Sequence, residues 1–125
     1  MPAIRCCLAS YLCLIAATAS THAGAIFPDG AKPEQLWNKG TFTEGVAVAP
    51  DGKIYFSDIS RGDDPGRILR FDPASGETSV YCADSGQSNG LMFDATGRLL
   101  AACGANNGRR ALVEIRNDGS VHELA

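Results

Sequence analysis

From Thr43 onward the chain alternates short apolar runs with clusters of turn-forming residues. Residues 46–49 and 54–56 flank Pro50-Asp51-Gly52, and two β-rich runs joined by a turn containing Asp-Gly predict a hairpin. The plan then returns. Asn89-Gly90 stands where Glu44-Gly45 stands, Gly97 where Gly52 stands, and Leu99 where Ile54 stands, each pair 45 residues apart. Arg67-Ile68-Leu69-Arg70-Phe71 alternates polar and apolar side chains, which predicts a half-buried strand; Ala111-Leu112-Val113-Glu114-Ile115 is its counterpart. Turns are expected at residues 72–76 and at Asn117-Asp118-Gly119, with outer strands over 78–82 and 120–124. Gln35-Leu36-Trp37 reads as a further short strand, anchored by burial of Trp37 and matched one repeat later by Val80-Tyr81-Cys82. No stretch beyond residue 23 sustains a helical period.

Each repeat is thus expected to be four short antiparallel strands. A repeat of about 40 to 50 residues with that content is the mark of a β-propeller blade. The predicted fold is all-β, a propeller of which about two blades are present, whereas propellers close with about four to eight. Either the chain is part of a longer product or several copies assemble; no polar capping repeat is evident, and the first is the expectation. A sandwich of eight strands is the alternative fold. It gives no reason for glycines, turns and apolar positions to recur in register. Two blades alone would also leave sheet faces and edge strands uncovered.

Composition changes the picture at the N-terminus. The chain has 125 residues and a net charge of −3, with no basic block, which argues against a nucleic-acid partner. Residues 1–23 contain one charged side chain, Arg5, then an apolar run over 8–19 and small residues around Ala19 and Ala23. That is the layout of a secretory signal peptide. The run, about 12 residues, falls short of the ~20 that a membrane span needs. The expected organisation is a signal peptide over 1–23, a linker over 24–33 and two blades over 34–125. The mature protein would then be periplasmic or secreted, with no membrane association. Cys6, Cys7 and Cys13 leave with the signal. Cys82 and Cys103 stay in an oxidising compartment at different points of the repeat. Two buried thiols are expected there, with a single disulfide as the alternative. No Cys-x-x-Cys spacing suggests zinc. Arg61-Gly62-Asp63 is read as loop chemistry rather than as an adhesion signal.

Glu44 is the first candidate for chemistry. Inner strands of a propeller begin at the mouth of the channel, so a carboxylate there faces a shared cavity; the other reading is a solvated loop residue. Asn89 holds the same place in the second repeat. It either meets substrate or serves the Ser88-Asn89-Gly90 turn. Arg109 and Arg110 are expected on a solvated edge, and Asp58, Asp94 and His122 in core or solvent roles.

The stretches FTEGVAVAPDGKIYFSDI, GRILRFDPASGET and SNGLMFDATGRLLAAC resemble the senescence marker protein/gluconolactonase family, also called regucalcin-like. The resemblance runs from about Leu36 to the last residue. It implies a six-bladed propeller with a divalent cation, calcium or zinc, in the central channel. It further implies hydrolysis of sugar lactones to aldonic acids, with a small-molecule lactone as partner. Glu44 matches the family's metal-ligating glutamate. The other ligands lie on later blades and have no counterpart here, so these residues alone are not expected to catalyse. The expected function is an exported metal-dependent lactone hydrolase, present as its N-terminal part. The alternative is a non-catalytic propeller that binds a sugar or a protein. The oligomeric state is left open.

Overall fold

Turn chemistry decides where the strands stop. In the computed structural model, which describes residues 26–104 and 107–125, three hairpins close with one geometry. The Gly52 N–H donates to the Ala49 carbonyl (2.9 Å) and the Ala49 N–H to the Lys53 carbonyl (2.8 Å). Gly97 with Asp94 and Arg98, and Gly119 with Arg116 and Ser120, repeat both bonds. Each glycine sits at positive φ, 84°, 84° and 80°, the left-handed position that ends a three-residue hairpin loop.

The chain divides after Pro33, and the eight strands of the described residues lie in Glu34–Ala125. The first sheet is β1 (Thr43–Val48), β2 (Ile54–Asp58), β3 (Arg67–Asp72) and β4 (Glu77–Cys82). The second is β5 (Ser88–Phe93), β6 (Leu99–Cys103), β7 (Ala111–Ile115) and β8 (Val121–Glu123). Both are four-stranded antiparallel meanders in chain order, with no strand exchanged between them. The expected signal peptide, with its three cysteines, lies outside the described residues. Residues 26–33 are exposed and contain one turn, in which Ala31 donates to the Pro28 carbonyl (3.0 Å).

Two local expectations are corrected. Gln35-Leu36-Trp37 forms no strand. A strand needs a ladder to join, and among the described residues none pairs with this segment. Trp37 is only half-buried, with its ring edge-on to Phe56 at 5.4 Å, and Leu36 is exposed. The half-buried strand expected over residues 67–71 is instead buried on both faces. Ile68, opposite Ser57, and Leu69, opposite Phe56, point to opposite sides of the sheet and are 0% and 3% exposed.

The sheets stack through unlike faces. The front of the first sheet contributes Tyr55, Ile68 and Cys82 to the shared core; the back of the second contributes Leu99, Ala101, Cys103, Val113 and Ile115. By the 45-residue offset Leu99 corresponds to Ile54, which lies on the other face of its sheet from Tyr55. Tyr55 fixes the stack with edge-on contacts to Tyr81 (4.8 Å) and Phe93 (5.2 Å). The two outward faces are apolar as well. Across the back of the first sheet Phe56, Leu69 and Val80 form one row and Ile54, Phe71 and Thr78 the next.

Cys82 and Cys103 are free and buried in the same core. Their thiols donate to neighbouring carbonyls of one connector, Cys82 to Asp84 (3.3 Å) and Cys103 to Ser85 (3.2 Å). Burial pushes both thiols up from their ordinary pKa.

Candidate functional site

β1 and β5 begin at the same end of the stack, the rim that also carries the connectors over 59–66 and 83–87 and residues 107–110. Glu44 is the second residue of β1, half-buried, and pairs with Ser57. A bulge follows it, and the next paired residue, Ala47, stands opposite Tyr55. Ser57 and Tyr55 share a face, so the bulge puts Glu44 on the same side as Ala47 although three residues separate them. Unbroken alternation would have put it with Val46 and Val48 on the back. Bulges re-aim side chains in this way.

Gly45 makes the bulge possible. Its φ is +53°, and a Cβ at this position would collide with the Asn89 carbonyl. β1 and β5 thus approach through their backbones, which brings Glu44 and Asn89 together at one rim. Asn89 is not in a turn: it is the residue left out of register at the bulge between Ser88 and Gly90, and it is exposed. Just behind, the Ser57 and Ser88 hydroxyls meet at 2.8 Å, a buried hydrogen bond between the sheets.

Two polar side chains hold the rim. The Asp58 carboxylate is 3% exposed and accepts four bonds: Thr41 and Phe42 N–H on Oδ1 (2.7 and 3.1 Å), and Arg67 Nε and Nη2 on Oδ2 (3.0 and 2.9 Å). It ties the approach to β1 to the start of β3. Gln87, at φ 58° and 4% exposed, donates to the carbonyls of Asp64 (2.7 Å) and Ser60 (3.3 Å) and staples the connector that contains Arg61-Gly62-Asp63. The sequence left Asp58 to a core or solvent role, and it is buried. Gln87 and the serine pair carry no sequence signal, because nothing in DSGQS separates a buried polar residue from a loop residue.

The remaining candidates do not join the site. The Arg109 guanidinium lies across Gly86 and 3.4 Å from the Asp84 carboxylate; Arg110 is exposed, at φ 53°. Arg109 borders a rim cleft of about 310 Å³ with Asp63, Asp64 and Gln87. His122 is exposed on β8. Asp94 is at the opposite end, in a hairpin turn. The Thr96 hydroxyl, then the Arg98 backbone and guanidinium, hold its carboxyl well below the usual range. A cavity of about 450 Å³ also lies at that end, lined by Tyr55, Tyr81, Phe93 and turn residues. It is the wedge left where the sheets splay, and it contains neither Glu44 nor Asn89.

Glu44 borders an open recess of about 430 Å³ with Thr43, Gly45, Val46 and Phe56. Among the described residues no lysine or arginine pairs with it. Its carboxylate and the Asn89 amide are hard oxygen donors of the kind calcium prefers, but calcium takes about six to eight. Asp58 cannot add to them, since both its oxygens are engaged. Among the described residues no three of histidine, cysteine, aspartate and glutamate gather closely enough to hold a metal ion. Each side chain can fill one place in a cation's shell, which leaves most of the shell to other groups.

Comparison with known proteins completes the picture. No family model matches the chain, and no curated protein does. Solved structures do match. A gluconolactonase from Xanthomonas campestris, described as important in glucose secondary metabolism, aligns at 27% identity and TM-score 0.61, over 72% of this chain and 28% of its own. A second structure, described as a protein of the gluconolactonase family, aligns at 26% identity and TM-score 0.63, over 78% of this chain and 31% of its own. In sequence and in fold, the chain resembles the gluconolactonases of the senescence marker protein/regucalcin-like family. It spans about a third of their length.

Proposed function

We propose that the two sheets are consecutive blades of a six-bladed β-propeller, and that the full protein is an exported, metal-dependent lactone hydrolase of which this chain is the N-terminal part. The observation that carries the reading is the alignment with gluconolactonases at 26% and 27% identity. Front-to-back stacking supports the blade assignment. Two copies of a sheet closing on each other as a sandwich meet through like faces; here unlike faces meet, and apolar faces remain on both outer sides.

Glu44 would hold the divalent cation, calcium or zinc, with Asn89 beside it. When bound, the cation would supply Lewis-acid polarisation of the lactone carbonyl. The chain's own residues do the positioning. Glu44 brings the negative charge, and its bulge aims it. The Asn89 amide, donor and acceptor at once, would orient the hydroxyls of a sugar-derived substrate. Asp58 and Gln87 keep the rim connectors in place. The absence of a three-ligand cluster among the described residues favours a second reading, a propeller that binds a sugar without turning it over.

One substitution separates the two. In the full-length protein, Glu44→Gln keeps the size of the side chain but removes the charge that offsets the cation. Metal affinity and lactone hydrolysis are expected to fall together, by about 10- to 100-fold, and excess metal to restore part of both. Glu77→Gln, exposed at the start of β4, is the control and changes neither. Parent-like metal binding and turnover in Glu44→Gln would make Glu44 a bystander. Export is tested separately: mass spectrometry should find a new N-terminus between Ser20 and Ile26, and an intact Met1 on periplasmic or secreted material would refute it.

A further inference from the structure

We propose that the buried Ser57–Ser88 hydroxyl pair positions the candidate site, fixing the separation at which Glu44 and Asn89 meet one ligand. The inference rests on the reading of Glu44 as a cation ligand and concerns two side chains that this reading leaves unused. Ser57 and Ser88 are 0% and 1% exposed, and their Oγ atoms meet at 2.8 Å from opposite sheets. The interface around them is apolar, built from Ile68, Cys82, Ala101 and Cys103 among others. Apolar burial is non-directional and does not by itself set the spacing of two strands. A buried O–H···O bond of this length does, because it weakens steeply when stretched or bent.

Each serine is one step from a rim residue. Ser57 is the ladder partner of Glu44, and Ser88 directly precedes Asn89 and is the last paired residue before its bulge. Ser88 is itself held, since its N–H donates to the buried Ser85 hydroxyl at 3.2 Å. Both inner strands are bulged here, so the regular ladder that sets a side chain's place elsewhere is interrupted. Two contacts between the sheets replace it. Gly45 against the Asn89 carbonyl limits how closely β1 and β5 approach. The serine bond limits how far they part. Between the two, the Glu44 carboxylate and the Asn89 amide keep one separation before any ligand arrives. Glu44 can then hold a cation, and Asn89 a substrate hydroxyl, at a spacing set in advance, which lowers the ordering cost of binding.

The test compares Ser57→Ala, Ser88→Ala and the double variant in the full-length protein, by urea unfolding and amide hydrogen exchange without metal, then by calcium titration in a calorimeter. Either single change strands one buried hydroxyl and should lower stability. Removing both leaves no orphan, so stability should return toward that of the parent. The link between the strands stays broken in all three. In the double variant the Gly45 and Gly90 amides should therefore exchange faster by about tenfold, while those of Leu99 and Ile115 match the parent. Calcium affinity should remain lower by about 10- to 100-fold, as in the single variants. Rim exchange or calcium affinity that recovers in the double variant would make the pair structural only and overturn the proposal. Ile115→Val, which loosens the same interface at its far end, is the control. An equal loss of affinity there would overturn the proposal too. A parent that binds no calcium would instead count against the cation reading, and the exchange comparison would then decide the serine pair.

Discussion

Where β2 of the first sheet ends, Asp58 stands opposite Arg67; at the same place in the second sheet Cys103 stands opposite Ala111. One position of the repeat therefore holds an ion pair with a buried carboxylate in one sheet and a small apolar pair in the other. The same divergence marks the start of each inner strand. Gly45 takes positive φ against the Asn89 carbonyl, whereas Gly90 has no atom within 4 Å of its missing side chain. Glu44 keeps its register with Ser57, and Asn89 falls out of register at its bulge. A shared backbone plan thus leaves the chemistry of each rim position free. What fixes that chemistry is the neighbour it meets: the first sheet has the second against its front, and among the described residues the second has nothing on its own.

The glycine pair gives the largest expected contrast. Gly45→Ala must strain a left-handed backbone and push β1 away from β5, a loss of about 2–4 kcal/mol by urea unfolding. Gly90→Ala should stay within about 1 kcal/mol of the parent. If the two alanines cost the same, the backbone contact between the inner strands is not what holds the rim.

A smaller effect is expected at the second strand. Asp58→Ala strands two backbone N–H groups and one side of Arg67. Arg67 is 40% exposed and keeps water, so the loss should be about 2–3 kcal/mol rather than that of a fully buried pair. Cys103→Ala at the equivalent position should cost about 1 kcal/mol. Equal losses would mean that the ion pair adds nothing beyond filling space.

The hairpin turns sharpen the comparison through pH. Asp94 opens the turn of the second sheet, where the first sheet has Ala49 and places its carboxylate at Asp51 instead. Both carboxyls are held below their ordinary pKa, Asp94 chiefly by the Thr96 hydroxyl and Asp51 chiefly by the Lys53 side chain. A folded-state pKa below the unfolded one stabilises the fold above the unfolded value, about 4, and that contribution is lost as pH falls below it. Asp94→Asn should therefore lower the urea midpoint most near neutral pH and by less at about pH 3, where only the unfolded carboxyl has begun to be protonated, with a smaller difference for Asp51→Asn. A uniform decrease at both pH values would show that the turn, not the charge, is responsible.

Much of this protein was legible from its residues alone. The hairpins over 46–56 and 91–99 follow from apolar runs broken by glycine turns, because turn geometry is local and its residues declare it. The repeat offset follows for the same reason. So does the position of Glu44 at the start of an inner strand. Other features came only with the tertiary structure, since they depend on which element lies across from which. The Gln35-Leu36-Trp37 segment has strand-like side chains but no partner among the described residues, and a strand without a ladder does not form. Ile68 and Leu69 are both buried, one on each face of β3, which the sequence of β3 does not announce. Gly45 looked like any glycine until Asn89 was found against it, and the bulge it permits decides which face Glu44 joins. Patterns along the chain settle what each segment can become; contacts between distant segments settle register, facing and burial, because those energies belong to pairs of elements rather than to either one.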